Sequence, residues 1–210
     1  MKDFRNLLYP ILDFDFCYAH NIPLHSLIST WELHPKAISF FQLRAKSLSP
    51  SDYKNLYLST QKKTNLPIII NDHLEIALEC NAFGIHIGKE DYEKISMTLK
   101  QELQDSKMLK GTSSHSKDDI ESLEDFWDYT GIGPLFPTSS KISSYPPIGL
   151  ENLICLTKIS KIPLVPIGGI NISHIYELTK IPNVVPASIS LFSNLELFPK
   201  IVSIWHKNRA

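Results

Sequence analysis

In "QLRAK", Gln42, Arg44 and Lys46 stand two residues apart, so an extended backbone places all three on one side. An arginine and a lysine on the buried face of a strand need an anion or a carboxylate as partner. Downstream, "IIINDH" carries Asn71 and Asp72, and "GIHIGKED" carries Asp91. Two carboxylates delivered from neighbouring strand ends suit Mg²⁺, with water and a substrate phosphate completing the octahedron. Each has a plainer reading: Asn71 or Asp72 caps a helix, and Glu90 and Asp91 begin one, where negative charge suits the dipole. His86, inside its own apolar run, reads as a hydrogen-bonded core histidine.

Hydroxyls and glycines collect in the second half of the chain. "GTSSHS" offers Gly111, for close backbone approach, and Ser113, to donate to a phosphate oxygen. His115 reads equally as a general acid or base and as the start of the helix that "SKDDIE" suggests. The stretch "YTGIGPLFPTSSK" ends in Thr138, Ser139, Ser140 and Lys141, a set of donors and one point charge that a phosphorylated ligand would need. "PIGGIN" brings the paired Gly168 and Gly169 to a strand-to-helix turn where backbone amides wrap a phosphate, and "PAS" adds Ser188. Two anion stations result. One comprises Arg44, Lys46, Asp72 and Asp91; the other comprises Thr138, Ser139, Ser140, Gly169 and Ser188, with Lys141 able to serve either. Two phosphate-bearing ligands held face to face would account for both.

The elements that must position these residues are legible as apolar runs at 7–12, 38–43, 66–70, 84–88, 107–111, 128–133, 162–168 and 183–188. They read as strands buried on both faces, separated by amphipathic stretches in which, for example, Leu74, Ala77 and Leu78 keep helical spacing. Eight strands alternating with helices favour a compact (β/α)₈ barrel, with 1–210 as one domain and the active site at the C-terminal ends of the strands. The polar loop 138–149 would then lie on the catalytic rim. With 21 basic against 22 acidic side chains, the chain lacks the charge excess that nucleic acid or an anionic membrane would require. Cys17, Cys80 and Cys155, odd in number and far apart, suggest reduced and mostly buried thiols. No segment reaches bilayer length, and Asp13 and Asp15 interrupt the first apolar run, which argues against a secretory signal; a cytoplasmic address is expected.

In order and spacing, "QLRAK", "NDHLEIAL", "GIHIGKED", "GTSSH", "DYTGIGPLFPTSSK", "PIGGIN" and "VVPAS" resemble the thiamine-phosphate synthase family. The resemblance implies a (β/α)₈ barrel that joins an aminopyrimidine methyl diphosphate to hydroxyethylthiazole phosphate with Mg²⁺. It implies that Gln42, Arg44, Lys46, Asn71, Ser113 and Lys141 hold the pyrimidine diphosphate, with Arg44, Ser113 and Lys141 closest to the chemistry. Asp72 and Asp91 would carry the metal, and Thr138, Ser139, Ser140, Gly169, Ala187 and Ser188 the thiazole phosphate. Several positions depart from the family's usual pattern. Ala45 stands where a carboxylate is common, His73 where an arginine is usual, Ser140 for a second threonine and Asn183 for a glycine, while Pro186 removes an N–H from the last strand. The related thiazole tautomerase, with His115 moving the proton, and a non-catalytic precursor-binding relative are the alternatives. The paired aspartates and the full Gln-x-Arg-x-Lys set favour the synthase, with phosphorylated small molecules as partners and a homo-oligomer left open.

Overall fold

The structure, a computed structural model, describes residues 4, 6–138 and 145–209. Eight parallel strands make one sheet: β1 (Tyr9–Asp13), β2 (Phe41–Arg44), β3 (Ile68–Asn71), β4 (Gly84–Ile87), β5 (Leu109–Ser114), β6 (Tyr129–Ile132), β7 (Leu164–Pro166) and β8 (Ala187–Ser188). Each strand pairs with the next in sequence from β1 to β7, and β8 pairs with β1. The remaining seam closes just before β8, where Leu164 N–H donates to the Asn183 carbonyl at 3.1 Å and Val185 N–H donates to the Leu164 carbonyl at 2.9 Å. The result is the expected (β/α)₈ barrel.

Around it lie α1 (Phe14–Ala19), α2 (Leu24–Glu32), α3 (Pro50–Gln61), α4 (Leu74–Glu79), α5 (Lys89–Lys94), α6 (Met97–Asp105), α7 (Lys117–Glu121), α8 (Gly149–Ile159), α9 (Ile172–Thr179) and α10 (Phe198–Lys207). Local chemistry starts several of them. Ser49 caps α3 with Pro50 as its first residue, Ser96 caps α6, and Ser116 and Asn171 close capping boxes on α7 and α9. Among the described residues, no helix is long and apolar enough to cross a membrane.

Four of the eight strands end later than their apolar runs suggest. β1, β2, β3 and β5 run on to Asp13, Arg44, Asn71 and Ser114, because ladder hydrogen bonds continue past the last aliphatic side chain to the polar residues of the mouth. The eighth strand is the opposite case. It is reduced to two residues, since Pro186 offers only its carbonyl, which accepts from Tyr9 N–H at 2.9 Å. Asn183 adopts φ +58°, a left-handed conformation that asparagine tolerates, so it takes the bend that a glycine would otherwise make.

Two cores follow from strand alternation. Inward-facing Tyr9, Ile11, Ile69, Leu109, Tyr129, Val165 and Ala187 fill the barrel, which Phe4, Phe40 and Phe83 floor with edge-on and tilted ring contacts at 5.7 to 5.9 Å. Outward-facing residues such as Leu12, Leu43, Ile70 and Ile85 pack against the helices together with Trp31, Tyr53, Phe198 and Trp205. The Trp31 indole donates to the Phe192 carbonyl at 3.1 Å, which ties α2 to the segment after β8. The thiols are spread over all levels of burial: Cys17 is buried, Cys80 half-buried and Cys155 exposed on α8, so the expectation of mostly buried cysteines holds for Cys17 alone.

Gly111 has a different purpose from the ligand approach expected of it. A Cβ on Gly111 would lie 2.0 Å from Cζ of Tyr129, so the space its missing side chain leaves is filled by that ring. Tyr129 is fully buried and has nowhere to move. Replacing Gly111 with alanine should cost about 3 kcal/mol, the upper end for overpacking a tight core, and lower the melting temperature by roughly 6–12 °C for a chain of this size. Thermal denaturation followed by circular dichroism checks this; an unchanged melting temperature would mean that the ring does not occupy that space.

Candidate active site

The C-terminal ends of β1 to β4 build one charged rim. Asp13, the last residue of β1, lies in register with Arg44, the last of β2, and its buried carboxylate pairs with that guanidinium while also capping α1 through Phe16 N–H at 2.8 Å. Lys46 continues past β2, and its ammonium pairs with the Asp72 carboxylate. The neighbouring loop is fastened by Asp15, which accepts from the Lys46 amide at 2.8 Å and from the Ser47 hydroxyl. Arg44 and Lys46 therefore meet at the mouth as expected, and each carries a carboxylate of this chain.

Asp72 does not cap α4. The N-cap residue is His73, while Asp72 adopts φ +63°, with its amide donating to the His86 carbonyl at 2.8 Å. A left-handed aspartate is sterically disfavoured and persists where its surroundings fix it. Its side chain is turned to Lys46 and to the Asn71 amide, which donates at 2.7 Å. Burial alone would raise the Asp72 carboxyl, but the Lys46 ammonium, followed by the Asn71 side-chain amide, outweighs it and holds the pKa below the usual carboxylate range. Asn71 is itself fixed by Tyr53, whose hydroxyl accepts from the Asn71 backbone N–H at 3.1 Å and donates to the Leu43 carbonyl at 2.7 Å. His73 rests against the Tyr53 ring, and burial pushes its imidazole pKa down.

Asp91 sits in the first turn of α5 beside Glu90, half-exposed, with Lys94 at 3.4 Å and one carboxylate oxygen 3.7 Å from where a Gly88 Cβ would stand. The hard oxygens of Asp72 and Asp91 suit Mg²⁺, and Asp72 already attracts a cation in the form of Lys46. Among the described residues, no group of three or more His, Cys, Asp or Glu side chains is placed to hold a metal, so water and substrate oxygens would have to complete the shell.

Inside the rim, Gln42 and Ser113 are joined through the barrel. Gln42 Nε2 donates to the Tyr9 hydroxyl at 3.0 Å, Tyr9 and Tyr129 hydroxyls meet at 2.7 Å, and His86 bridges Tyr129 at 3.2 Å and Ser113 at 3.1 Å. His86 is thus the hydrogen-bonded interior histidine that was expected. His115 precedes the N-cap of α7; its Nδ1 contacts the Gly133 carbonyl at 3.3 Å and its ring stacks on Tyr145 at 4.0 Å.

Across the mouth, the turn after β7 lies against the loop after β6. Gly168 and Gly169 have φ +94° and +66°, Phe136 N–H donates to the Gly168 carbonyl at 3.0 Å, and a Cβ on Gly169 would meet the Pro137 and Phe136 carbonyls at 2.5 and 2.6 Å. Only glycine fits there. Phe136 stacks on His174 at 3.6 Å, and half-buried Thr138 follows directly. The fold therefore brings Gly169 beside the start of the Thr138 segment; Ser139, Ser140 and Lys141 lie outside the described residues. Ala187 faces the barrel interior, level with Tyr9, whereas the next residue, Ser188, pairs with Pro10 on the alternate side and its hydroxyl accepts from Leu191 N–H at 3.1 Å.

Sequence reasoning missed Asp13, Asp15 and the two tyrosines. Asp13 stands directly after an apolar strand run and Asp15 two residues later, the same pattern that marks Arg44 and Asp72. Ala45 also takes on a new meaning: directly after β2 it is buried in the core that packs against the helices, and the charge partner of Arg44 comes from β1 rather than from the neighbouring position.

Comparison with known proteins places these features in a family. A family profile described as thiamine monophosphate synthase matches residues 8–187. The thiamine-phosphate synthase of Latilactobacillus sakei is 31% identical over 178 residues, 80% of this chain and 77% of that protein. That of Dictyoglomus thermophilum is 41% identical over 117 residues, 55% of this chain and 51% of its own length, so the chain spans about half of that relative. Among solved structures, a thiamine phosphate pyrophosphorylase from Pyrococcus furiosus superposes with a TM-score of 0.70 at 24% identity, covering 96% of this chain and 98% of its own, which supports the shared fold. On the breadth of the profile match and the Latilactobacillus alignment, this chain belongs to the thiamine monophosphate synthase family.

Proposed function

We propose that the chain acts as one (β/α)₈ domain of residues 1–210 and joins 4-amino-2-methyl-5-(diphosphooxymethyl)pyrimidine to hydroxyethylthiazole phosphate, releasing pyrophosphate and forming thiamine phosphate. The observation that carries this reading is the Lys46 ammonium seated on the Asp72 carboxylate beside the Arg44–Asp13 pair. Arg44 and Lys46 are each already paired with a carboxylate, so a diphosphate arriving alone at this part of the rim meets, among the described residues, two cations that are already engaged. A divalent ion would supply the further positive charge that a diphosphate requires. Asp72 and Asp91 would hold Mg²⁺, which when bound supplies Lewis-acid stabilisation of the leaving pyrophosphate.

Lys46 then turns from Asp72 to the diphosphate, and Arg44, Asn71 and Ser113 orient it from the surrounding strand ends. Departure of pyrophosphate leaves a pyrimidinylmethyl cation, which the thiazole nitrogen captures. This chemistry requires no covalent nucleophile; it needs fixed charge in a water-poor mouth. The amides of the Gly168–Gly169 turn, with Thr138 and its neighbours Ser139, Ser140 and Lys141, would hold the thiazole phosphate opposite, and Ala187 would line its barrel side.

Oxidation of product to its fluorescent form gives the direct assay. Thiamine phosphate should form with Mg²⁺, disappear with chelator, and fall at least about 100-fold in Asp91→Ala, the scale of a lost electrostatic stabiliser. Thiazole isomerisation that is indifferent to chelator would identify a tautomerase instead, and binding of either substrate without turnover a non-catalytic relative.

Lys46→Met separates charge compensation from substrate binding. Without the ammonium, binding of Mn²⁺ to the substrate-free protein, followed by electron paramagnetic resonance, should tighten about tenfold (1.4 kcal/mol is a factor of ten), while the diphosphate binds more weakly. The pH dependence has a definite sign. With its pKa held below the ordinary value, Asp72 stabilises the wild type above that value, and the contribution is lost as pH falls through the folded pKa. In Lys46→Met burial dominates and the carboxyl pKa rises, so the melting-temperature deficit of the variant should be largest near pH 7 and shrink towards pH 3. A deficit independent of pH would mean that Lys46 does not compensate Asp72.

A further inference from the structure

Five side chains from five strands form one unbroken chain of hydrogen bonds across the barrel interior: Gln42, Tyr9, Tyr129, His86 and Ser113. Its two ends are the uncharged polar groups of the rim, and its middle is sealed, with Tyr9 and Tyr129 at 1% and 0% exposure. Below it lies the aromatic floor, and the rings themselves pack edge-on and stacked at 5.5 and 5.7 Å, which leaves little rotational freedom.

We propose that this chain runs in one direction, so that Tyr9, Tyr129 and His86 act as positioning residues that fix what the barrel presents to its ligand: an acceptor, Gln42 Oε1, at the end of β2 and a donor, the Ser113 hydroxyl, at the end of β5. This inference rests on the synthase reading for the identity of the ligand, and on geometry alone for the direction. Gln42 donates its amide N–H to the Tyr9 oxygen. If Tyr9 also accepted from Tyr129, its own proton would be left unpaired in the core, at a cost that buried hydroxyls avoid. Tyr9 therefore donates to Tyr129, and Tyr129, having accepted, donates to Nδ1 of His86. That leaves the imidazole neutral with its proton on Nε2, which donates to Ser113 Oγ, and the one hydroxyl proton of Ser113 is turned to the mouth.

A ligand with a donor at one end and an anion at the other matches this pattern, which is the chemistry of an amino-substituted heteroaromatic ring bearing a phosphate. The reverse direction, with the Gln42 amide turned over, would offer an N–H to the ring amine and the oxygen lone pairs of Ser113 to the phosphate. Both contacts would be repulsive. The polarity of five linked groups thus becomes a specificity determinant for an aminopyrimidine diphosphate over a ring bearing an oxo group in place of the amine.

The direction is read from the wild-type, ligand-free protein by nitrogen-15 NMR of the histidines, with His86→Gln identifying the resonance. A bare Nδ1 and a protonated Nε2 are expected; a proton on Nδ1 would overturn the proposal, whatever the protein catalyses. Tyr129→Phe keeps the ring over Gly111 and removes the link. Calorimetry should show about tenfold weaker binding of the pyrimidine diphosphate, thiazole phosphate binding should be unchanged, and the His86 resonances should divide between the two tautomers. An unchanged tautomer together with unchanged diphosphate affinity would also overturn it. If that variant does not fold, Tyr9→Phe cuts the chain one link earlier and is read in the same way. Loss of turnover alone, with the tautomer as stated, would count against the synthase reading and not against the direction of the chain.

Discussion

Closure of a parallel barrel imposes a strict alternation: along every strand, one residue faces the interior and the next faces the helices. The bonds that join Leu164 to Asn183 and Val185 complete the ring, and the registers of the other seven seams then set the height of each inward residue. The interior is layered as a consequence. Phenylalanines floor it, aliphatic residues such as Ile69, Leu109 and Val165 come next with the tyrosine pair, and Gln42, Asn71, His86 and Ser113 lead up to the charged rim.

The rim obeys a second rule, that charge taken partly out of water must be paired. Arg44 finds Asp13 because β1 and β2 are neighbours in register, and Lys46 finds Asp72 because the left-handed turn after β3 points that carboxylate sideways rather than into α4. Charge pairing of this kind stores the binding groups in an ordered state. It also makes the site selective, since an incoming anion must bring a cation with it or displace a carboxylate already in place. The opposite side of the mouth uses no charged side chain among its described residues. There, the close approach of the Gly168–Gly169 turn to Phe136 and Pro137 sets the geometry, and it does so by excluding side chains.

Much of this was legible in the sequence. Eight apolar runs separated by amphipathic stretches indicated the barrel, and polar residues at the ends of those runs marked Gln42, Arg44, Lys46, Asn71, Asp72 and Ser113 as rim groups. What could not be read depends on contacts across the barrel. Tyr9 and Tyr129 are 120 positions apart and meet only because closure places β1 and β6 across the same interior. The role of Gly111 lies in a ring contributed by another strand, and the partner of Arg44 lies 31 residues earlier, at a distance that no local pattern encodes. The orientation of Ser188 is hidden for a related reason: with Pro186 shortening the last strand, the alternation there follows the pairing with β1, and the Ser188 hydroxyl accepts from Leu191 N–H in a local turn.

A crystal structure with thiamine phosphate, pyrophosphate and Mg²⁺ tests the central claim most directly, because it locates both anions at once. The account predicts pyrophosphate within hydrogen-bonding reach of Arg44 and Ser113, the metal on Asp72 with Lys46 moved off that carboxylate, and the thiamine phosphate group on the Gly168–Gly169 turn. Anions bound the other way round, or Lys46 still paired with Asp72 while the pyrophosphate is in place, would contradict it.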